Sequence, residues 1–424
     1  MCLFKAMMFL DHLVTRRNQG IPRLLWPLKQ AGFVHQPVEK VNGTTAWING
    51  RPILNFVASN YLGLNQHPYV IRAASEAAQS WGVSLSMPRL LAVDRLTSCL
   101  ETAVARLTGQ QQALIFPSTT HISLDLIPLL TGNDGIVFVD EWAYPISLVG
   151  VSMAAQKGAA ICRFPHNDVQ ALSVLLSAYA QYPNKVIVCD GFYAAEGHPA
   201  HLRAFDRLAR QFETAVYVDD THGIGVLGGI PSRMLPYGRG GGGTLPHLAI
   251  SSGHMVNVGS LAKAFGIPLA FVAGPAKFVQ YMRATAGTMS HCSPPALPVL
   301  AAALAALQVH DFEGEERRQR LLQRIRQFRQ NLSHTGICMS GSPLSPMQSL
   351  YFSSPRTAVM IGNSLQQAGI WHILQFNPRE RPAGVVLRFI LTALHHEVDV
   401  DRLTTVIHAA LHRIDGDSSS GSEK

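Results

Sequence analysis

The chain has 424 residues, too many for one ordinary small domain and suited to a large α/β subunit or two to three domains. Apolar residues make up 47% of it, which excludes disorder as the dominant state; charged residues make up only 15%, below the usual share of about 25%, as expected of a surface partly hidden between subunits. Lys and Arg outnumber Asp and Glu by 35 to 27, a formal net charge of +8 that favours anionic ligands. The six cysteines include no Cys-x-x-Cys pair, so a disulfide framework and a zinc ribbon are excluded and a reducing cytoplasmic location is expected.

Met1 to Arg17 mixes Met, Leu and Phe with Lys5 and Asp11 and has no small-residue cleavage site, which reads as an amphipathic helix rather than a signal peptide. Asn49-Gly50 between apolar runs predicts a tight hairpin. From there to about Ser290, short apolar runs recur at residues 113–116, 136–139, 160–164, 186–189, 215–218, 256–258 and 269–272. Helical patterns separate most of them, including 169–180, capped by Asn167 or Asp168, and 202–212, with Leu202, Phe205, Leu208, Ala209 and Phe212 on one face. Low charge in strands that alternate with helices predicts a mostly parallel, seven-stranded sheet covered on both faces.

The Gly240–Gly243 run lacks the Lys-Ser/Thr of a phosphate loop and is read as flexible. The most apolar run, Ala296–Leu307, is interrupted by Pro298 and is too short for the roughly 20 residues of a membrane span. Residues 315–332 predict a basic helix with Leu321, Leu322, Ile325, Phe328 and Leu332 as its apolar stripe; a solvated amphipathic helix is preferred to a nucleic-acid patch. Strand-like runs at 349–352 and 387–391 flank a helix over about 358–368, an α+β arrangement. The expected organisation is an N-terminal segment (1–50), a large domain (51–293), a C-terminal α+β domain (294–414) and a frayed polar tail (415–424). His395-His396 has no third partner in the sequence and does not argue for a metal.

Two segments carry the chemistry. Val216-Tyr217-Val218-Asp219-Asp220-Thr221-His222-Gly223 puts an acid and an imidazole just past a buried strand. Val258-Gly259-Ser260-Leu261-Ala262-Lys263-Ala264-Phe265-Gly266 puts one lysine among apolar and small residues. Polar groups at the carboxyl ends of strands are where open α/β sheets bind ligands. A lysine in such surroundings has a lowered pKa and suits Schiff-base chemistry, and an acid beside it suits a cationic ring nitrogen, as pyridoxal phosphate requires.

The chain resembles the α-oxoamine synthases, fold-type-I pyridoxal-phosphate acyltransferases. The resemblance rests on Asn55-Phe56, Ser59-Asn60-Tyr61-Leu62-Gly63-Leu64, Leu100-Glu101, Phe164-Pro165-His166-Asn167-Asp168, Asp190-Gly191, Glu196-Gly197, Asp219 to Gly223, Ser260 with Lys263, and Leu387-Arg388-Phe389-Ile390-Leu391-Thr392-Ala393. It implies that Lys263 holds the cofactor covalently and moves the α-proton, that Asp219 pairs with the ring nitrogen, and that His222 bonds the phenolate oxygen or the thioester carbonyl. It further implies Arg388 on the amino-acid carboxylate, Asn60 at the substrate, and Ser118, Thr119, Thr120 and Ser260 on the phosphate. Ser290, or His291, would come from a second subunit, so a homodimer is expected. The alternatives to these roles are simple N-capping for Ser118 to Thr120, a structural ion pair for Arg388 and a core histidine for His222.

Departures from the family pattern are Tyr144 at the ring-stacking position, where histidine is usual, Ala194 in place of serine, Thr97 in place of histidine, and Pro378-Arg379-Glu380-Arg381-Pro382. The expected activity is condensation of a small amino acid with an acyl thioester, on coenzyme A or a carrier protein, with decarboxylation to an α-aminoketone. Transamination or aldol-type cleavage on the same cofactor is the alternative that Tyr144 and Ala194 suggest, and an inactive partner subunit or a regulator is the non-enzymatic one.

Overall fold

A computed structural model describes residues 32–193, 197–377 and 384–420, with side chains left undescribed at 376–377 and 415–420. The amphipathic helix expected at the N-terminus, Cys2, Ala194, Glu196 and the Pro378–Pro382 run lie outside the described residues.

Strands β1 (Val38–Asn42), β2 (Thr45–Ile48) and β3 (Arg51–Asn55) come first, followed by helices α1 (Pro68–Trp81) and α2 (Arg95–Thr108). The alternating region then runs β4 (Gln112–Phe116), α3 (Thr119–Thr131), β5 (Ile136–Asp140), α4 (Pro145–Gln156), β6 (Ala160–Phe164), α5 (Val169–Ala178) and β7 (Lys185–Asp190). It continues through β8 (Phe192–Tyr193), β9 (His198–Pro199), α6 (Leu202–Gln211), β10 (Ala215–Asp219), α7 (Thr244–His247), β11 (Met255–Ser260) and β12 (Ala270–Gly274). The last third holds α8 (Ala276–Thr285), α9 (Gly287–His291), α10 (Leu297–Leu332), β13 (Cys338–Ser340), β14 (Met347–Phe352), α11 (Pro355–Gln367), β15 (Ile370–Trp371), β16 (Ile373–Asn377), β17 (Gly384–Ile390) and α12 (Glu397–Ser420).

Contacts divide the chain into two units that cross the boundaries expected from sequence. One is residues 1–57, 350–389 and 405–424; the other is 58–349 and 390–404. The larger unit is built on the seven expected strands, in the order β4-β12-β11-β10-β7-β5-β6. β10 pairs in parallel with β11 and β7, and β5 with β6 and β7, whereas β12 runs antiparallel to both β11 and β4. Every residue of β5 and β12 is buried, and so is every residue of β7 and β10 except the first. Two apolar clusters cover the two faces, one centred on Leu126, Val137 and Val258, the other on Phe138, Leu172, Phe205 and Val218. Such double burial removes the alternation of a half-exposed strand and leaves the continuous apolar runs seen in the sequence.

The smaller unit contains the sheet β1-β2-β3-β15. Ile48 pairs with Arg51 across Asn49 and Gly50, whose φ values of 51° and 71° form the two-residue turn that an Asn-Gly pair favours. β16 and β17 form an antiparallel pair with Ile373 opposite Arg388.

Three expectations need correction. The basic helix starts at Leu297, eighteen residues earlier than predicted, because Pro298 sits in its first turn, where a missing N–H costs nothing. It is not solvated all along its basic face: Arg317, Arg318 and Arg324 are buried. The polar tail is helical as far as Ser420. Among the described residues no helix is long and apolar enough to cross a membrane.

Candidate active site

The larger unit gathers its functional side chains at one edge of the seven-stranded sheet. Asp219 ends β10, level with Asp190 on β7 and with Val258 on β11. Ser260 ends β11 and faces Ala270, which in turn faces Phe116 at the end of β4. Ser118 and Ser260 therefore leave the same edge two strands apart, about 10 Å at the usual strand spacing.

Beyond β11 the chain makes a tight loop. Leu261 N–H donates to Leu269 O at 2.8 Å and Ile267 N–H to Leu261 O at 3.0 Å, while Leu261, Ala264 and Phe265 are buried. Ser260 Oγ accepts Ala262 N–H at 3.2 Å and donates to Leu269 O at 3.3 Å, so its hydroxyl helps to shape this loop. Lys263 stands at the loop's centre, with its ammonium lowered from the usual lysine range by burial and held up by the charge of Asp219. Burial raises the Asp219 carboxyl, opposed by hydrogen bonds from Thr221, whose N–H donates at 3.1 Å, and by the charge of Lys263.

The next acid, Asp220, has a different task. It is fully buried, accepts Thr244 N–H at 2.6 Å and Thr244 Oγ1 at 2.5 Å, and burial pushes it up to about 7. It braces the turn that carries His222. The His222 Nδ1 lies 2.8 Å from the Tyr61 hydroxyl, and Tyr61 N–H donates to Lys263 O at 3.3 Å. His222 and Lys263 are consequently tied to the same tyrosine.

Tyr144 is 47% exposed at the start of α4, and its N–H donates to Asp190 Oδ1 at 3.0 Å. Burial, then the charges of Asp219 and Asp190, raise its phenol, which places the ring beside the same acids and keeps it protonated near neutral pH. At the N-terminus of α3, Ser118 does not cap the helix with its side chain; its Oγ lies 2.8 Å from His121 Nδ1. Thr119 and Thr120 open that helix, so its first amides and three hydroxyls lie together at its N-terminus.

Other sequence candidates have structural partners. Asn60 closes a turn, its Oδ1 accepting Leu64 N–H at 3.2 Å and its Nδ2 donating to Asn65 Oδ1 at 2.6 Å. Glu101 is buried between Arg89 at 3.1 Å and Arg283 at 2.6 Å. Thr97 bonds the helix cap Asp94. His395 Nδ1 accepts Thr392 N–H at 3.0 Å. Ser290 is half-buried on α9, beside Thr288, whose hydroxyl donates to Asp125. Arg388 belongs to the smaller unit, where its Nη1 donates to Gln375 Oε1 at 2.8 Å.

Residues 51–407 match the family model for aminotransferase class I and II. The 8-amino-7-oxononanoate synthase of Geobacter sulfurreducens is 33% identical over 94% of this chain and 95% of its own length. That of Chromobacterium violaceum is 32% identical over 86% of this chain and 91% of its own. The chain belongs to the α-oxoamine synthase family. Among solved structures, a serine palmitoyltransferase with its pyridoxal phosphate internal aldimine superposes with a TM-score of 0.85 at 23% identity, covering 95% of this chain and 99% of the other. An 8-amino-7-oxononanoate synthase from Francisella tularensis gives 0.68 at 21% identity, covering 86% and 99%. These structures share the fold-type-I architecture.

As an α-oxoamine synthase the chain is a pyridoxal-phosphate-dependent acyltransferase, and its residues fit that cofactor. A buried carboxyl whose main compensations are Thr221 and one lysine stays ionised best against a further cation, which a ring N–H supplies. Residues that sequence reasoning passed over are Asp220, Thr244 and Tyr61. The first and last were inside quoted motifs, but nothing in a motif distinguishes a bracing side chain from a reacting one.

Proposed function

We propose that this α-oxoamine synthase works as a homodimer in the cytoplasm and joins a small amino acid to an acyl thioester, releasing carbon dioxide and an α-aminoketone. The placement of Asp219 at the end of β10, in register with Val258 on β11, the strand that leads directly into the Lys263 loop, is the observation that carries the reading. When bound, the cofactor supplies an electron sink for the α-carbon.

Everything else falls to the chain's own groups. Lys263 Nζ, its basicity lowered by burial, acts as the nucleophile and later carries the α-proton. Asp219 holds the ring nitrogen protonated. His222, oriented by the Tyr61 hydroxyl, directs its other nitrogen to the phenolate or thioester oxygen. Tyr144 lays an apolar ring against the cofactor and contributes no proton near neutral pH. Ser118, Thr119, Thr120 and Ser260 take the phosphate, with Ser290 of the partner subunit. Arg388 forks onto the amino-acid carboxylate, a bidentate contact that lysine cannot copy. Asn60 is assigned no substrate contact, because its turn accounts for it.

Two features favour the dimer: the low charge of the chain, and a run of exposed apolar side chains at Trp81, Val83, Met87, Leu90, Leu91 and Val93. The relatives' product name makes an alanine-derived aminoketone the first product to seek. Incubation of the cofactor-loaded protein with a mixed pool of amino acids and acyl thioesters, followed by product mass spectrometry, tests the reading. Thiol release with an aminoketone supports it. Pyridoxamine phosphate formed without thiol would replace it with transamination.

A further inference from the structure

Two buried cations have no part in the chemistry above. Arg317 and Arg318 are consecutive on α10, 8% and 2% exposed, although burying an arginine is costly. Arg317 Nη1 donates to Leu62 O at 2.8 Å. Leu62 N–H in turn donates to Ala264 O at 3.1 Å, one residue past Lys263. Arg318 Nη1 donates to His310 Nε2 at 2.6 Å and to Gly225 O at 3.4 Å. Its Nη2 lies 2.5 Å from Glu315 Oε1, which also accepts Gly240 N–H at 2.8 Å.

The space around this second guanidinium is cut to fit. A Cβ on Gly241 would stand 2.6 Å from His310 Nε2 and 2.7 Å from Arg318 Nη1, and one on Gly314 would stand 2.7 Å from His310 Cδ2. Gly225, at φ 79°, lies so close to the lysine loop that a Cβ would come within 2.5 Å of Ala264 Cβ and 3.0 Å of Phe265 Cε2. The His310 ring meets Phe265 edge-on at 5.1 Å. The glycine run 240–243 is therefore pinned, contrary to its reading as a flexible loop: Gly225 N–H donates to Gly241 O and Gly243 N–H to Leu227 O, both at 2.7 Å.

Both arginines thus reach, through one intermediate residue each, the two residues that follow Lys263. We propose that Arg317 and Arg318 are positioning residues that hold the Lys263 loop by two separate routes, through Leu62 and through Gly225, and so set where Nζ stands. The proposal rests on the reading of Lys263 as the cofactor-bearing residue. Methionine at either position removes the donor to Leu62 O, or to Gly225 O and His310 Nε2, which costs stability and also frees the loop to shift, and displacement of Nζ by a fraction of an ångström weakens covalent capture.

The test is amide hydrogen exchange of residues 261–266 in cofactor-free protein, together with the cofactor dissociation constant, for Arg317→Met, Arg318→Met and Arg318→Lys. Arg320→Met is the control, since Arg320 is exposed on the same helix and pairs only with exposed Glu316. Expected are faster exchange of 261–266 and about tenfold weaker cofactor retention in all three variants, with β5 exchanging as in wild type and the control unaltered. Lysine is expected to fail because it lacks the planar fork. Folded variants with wild-type loop exchange and wild-type cofactor affinity, whatever their melting temperature, would overturn the proposal. If β5 also exchanges fast, Gly241→Ala crowds the Arg318 guanidinium from outside the helix, and the same two readouts on it decide. A wild-type protein that captures no cofactor would sink the reading of Lys263, while the exchange measurement would still decide the clamp.

Discussion

His310 offers a quantitative test of how tightly the α10 face is packed. Burial, then the charge of Arg318, lowers its imidazole from 6.5 to about 3. Around it stand Arg318, the Glu315 carboxylate that pairs with Arg318, the Phe265 ring and Gly241. A histidine held neutral in the native state takes up its proton only on unfolding. Below 6.5 the unfolded chain therefore binds more protons, and stability falls as the pH falls, down to the native value of about 3. At about pH 5 the loss is about 2 kcal/mol, from 1.36 kcal/mol per unit over roughly 1.5 units.

His310→Gln keeps an acceptor for the Arg318 N–H but cannot titrate. Urea unfolding at about pH 7.5 and about pH 5 should show the wild type losing about 2 kcal/mol more than the variant between the two conditions. Asp220, raised to about 7, contributes in the opposite direction, because its stabilisation is lost as the pH rises through 7, but it is common to both proteins and cancels. An identical pH dependence in the two proteins would show that solvent or a relaxed helix reaches His310, and the packing argument would fail.

Other outcomes are equally open to measurement. Borohydride reduction of the cofactor-loaded protein should leave a mass increment on the peptide containing Lys263 and none in Lys263→Ala; an increment on another lysine would displace the assignment. Tyr144→Phe should leave the pH profile of kcat/KM unchanged, since the phenol stays protonated, whereas Tyr144→His should add an ionisation at about 6.5 or above beside Asp219 and Asp190. Gly225→Ala should cost on the order of 1–3 kcal/mol, from the left-handed φ and the contact with Ala264, with a lowered melting temperature and weaker cofactor retention. Replacing both Leu90 and Leu91 with Asp should shift the protein to monomer in sedimentation and abolish activity with it; an active monomer would remove Ser290 from the site.

Six of the seven strands of the large sheet were legible as apolar runs because a strand buried on both faces takes mostly apolar residues; β6, at the sheet edge, kept a mostly apolar run although Ile161 and Arg163 are exposed. The helices 169–178 and 202–211 were legible for the complementary reason: one face is buried, and the period shows it. α10 was misread at its start and on its basic face. A proline argues against a helix unless it lies in the first turn, and arginine counts as polar in any binary pattern, although Arg318 is nearly inaccessible. The glycine run failed for a related reason, since small residues signal freedom in sequence, whereas here Gly241, Gly242 and Gly243 mark places where His310 and Arg318, Leu107 O and Asp220 leave no room for a Cβ.

The order of short motifs along the chain was enough to determine the family and the cofactor, and it singled out one lysine and one acid as candidates, because each chemical task admits few residue types. Which of the candidate side chains are closed off by bracing partners was decided only by the tertiary structure. Asp219 and Asp220 are neighbours of the same type, yet one faces Lys263 and the other is closed off by Thr244. The direction of a side chain at a strand end depends on packing against segments tens of residues away, and no local pattern records it.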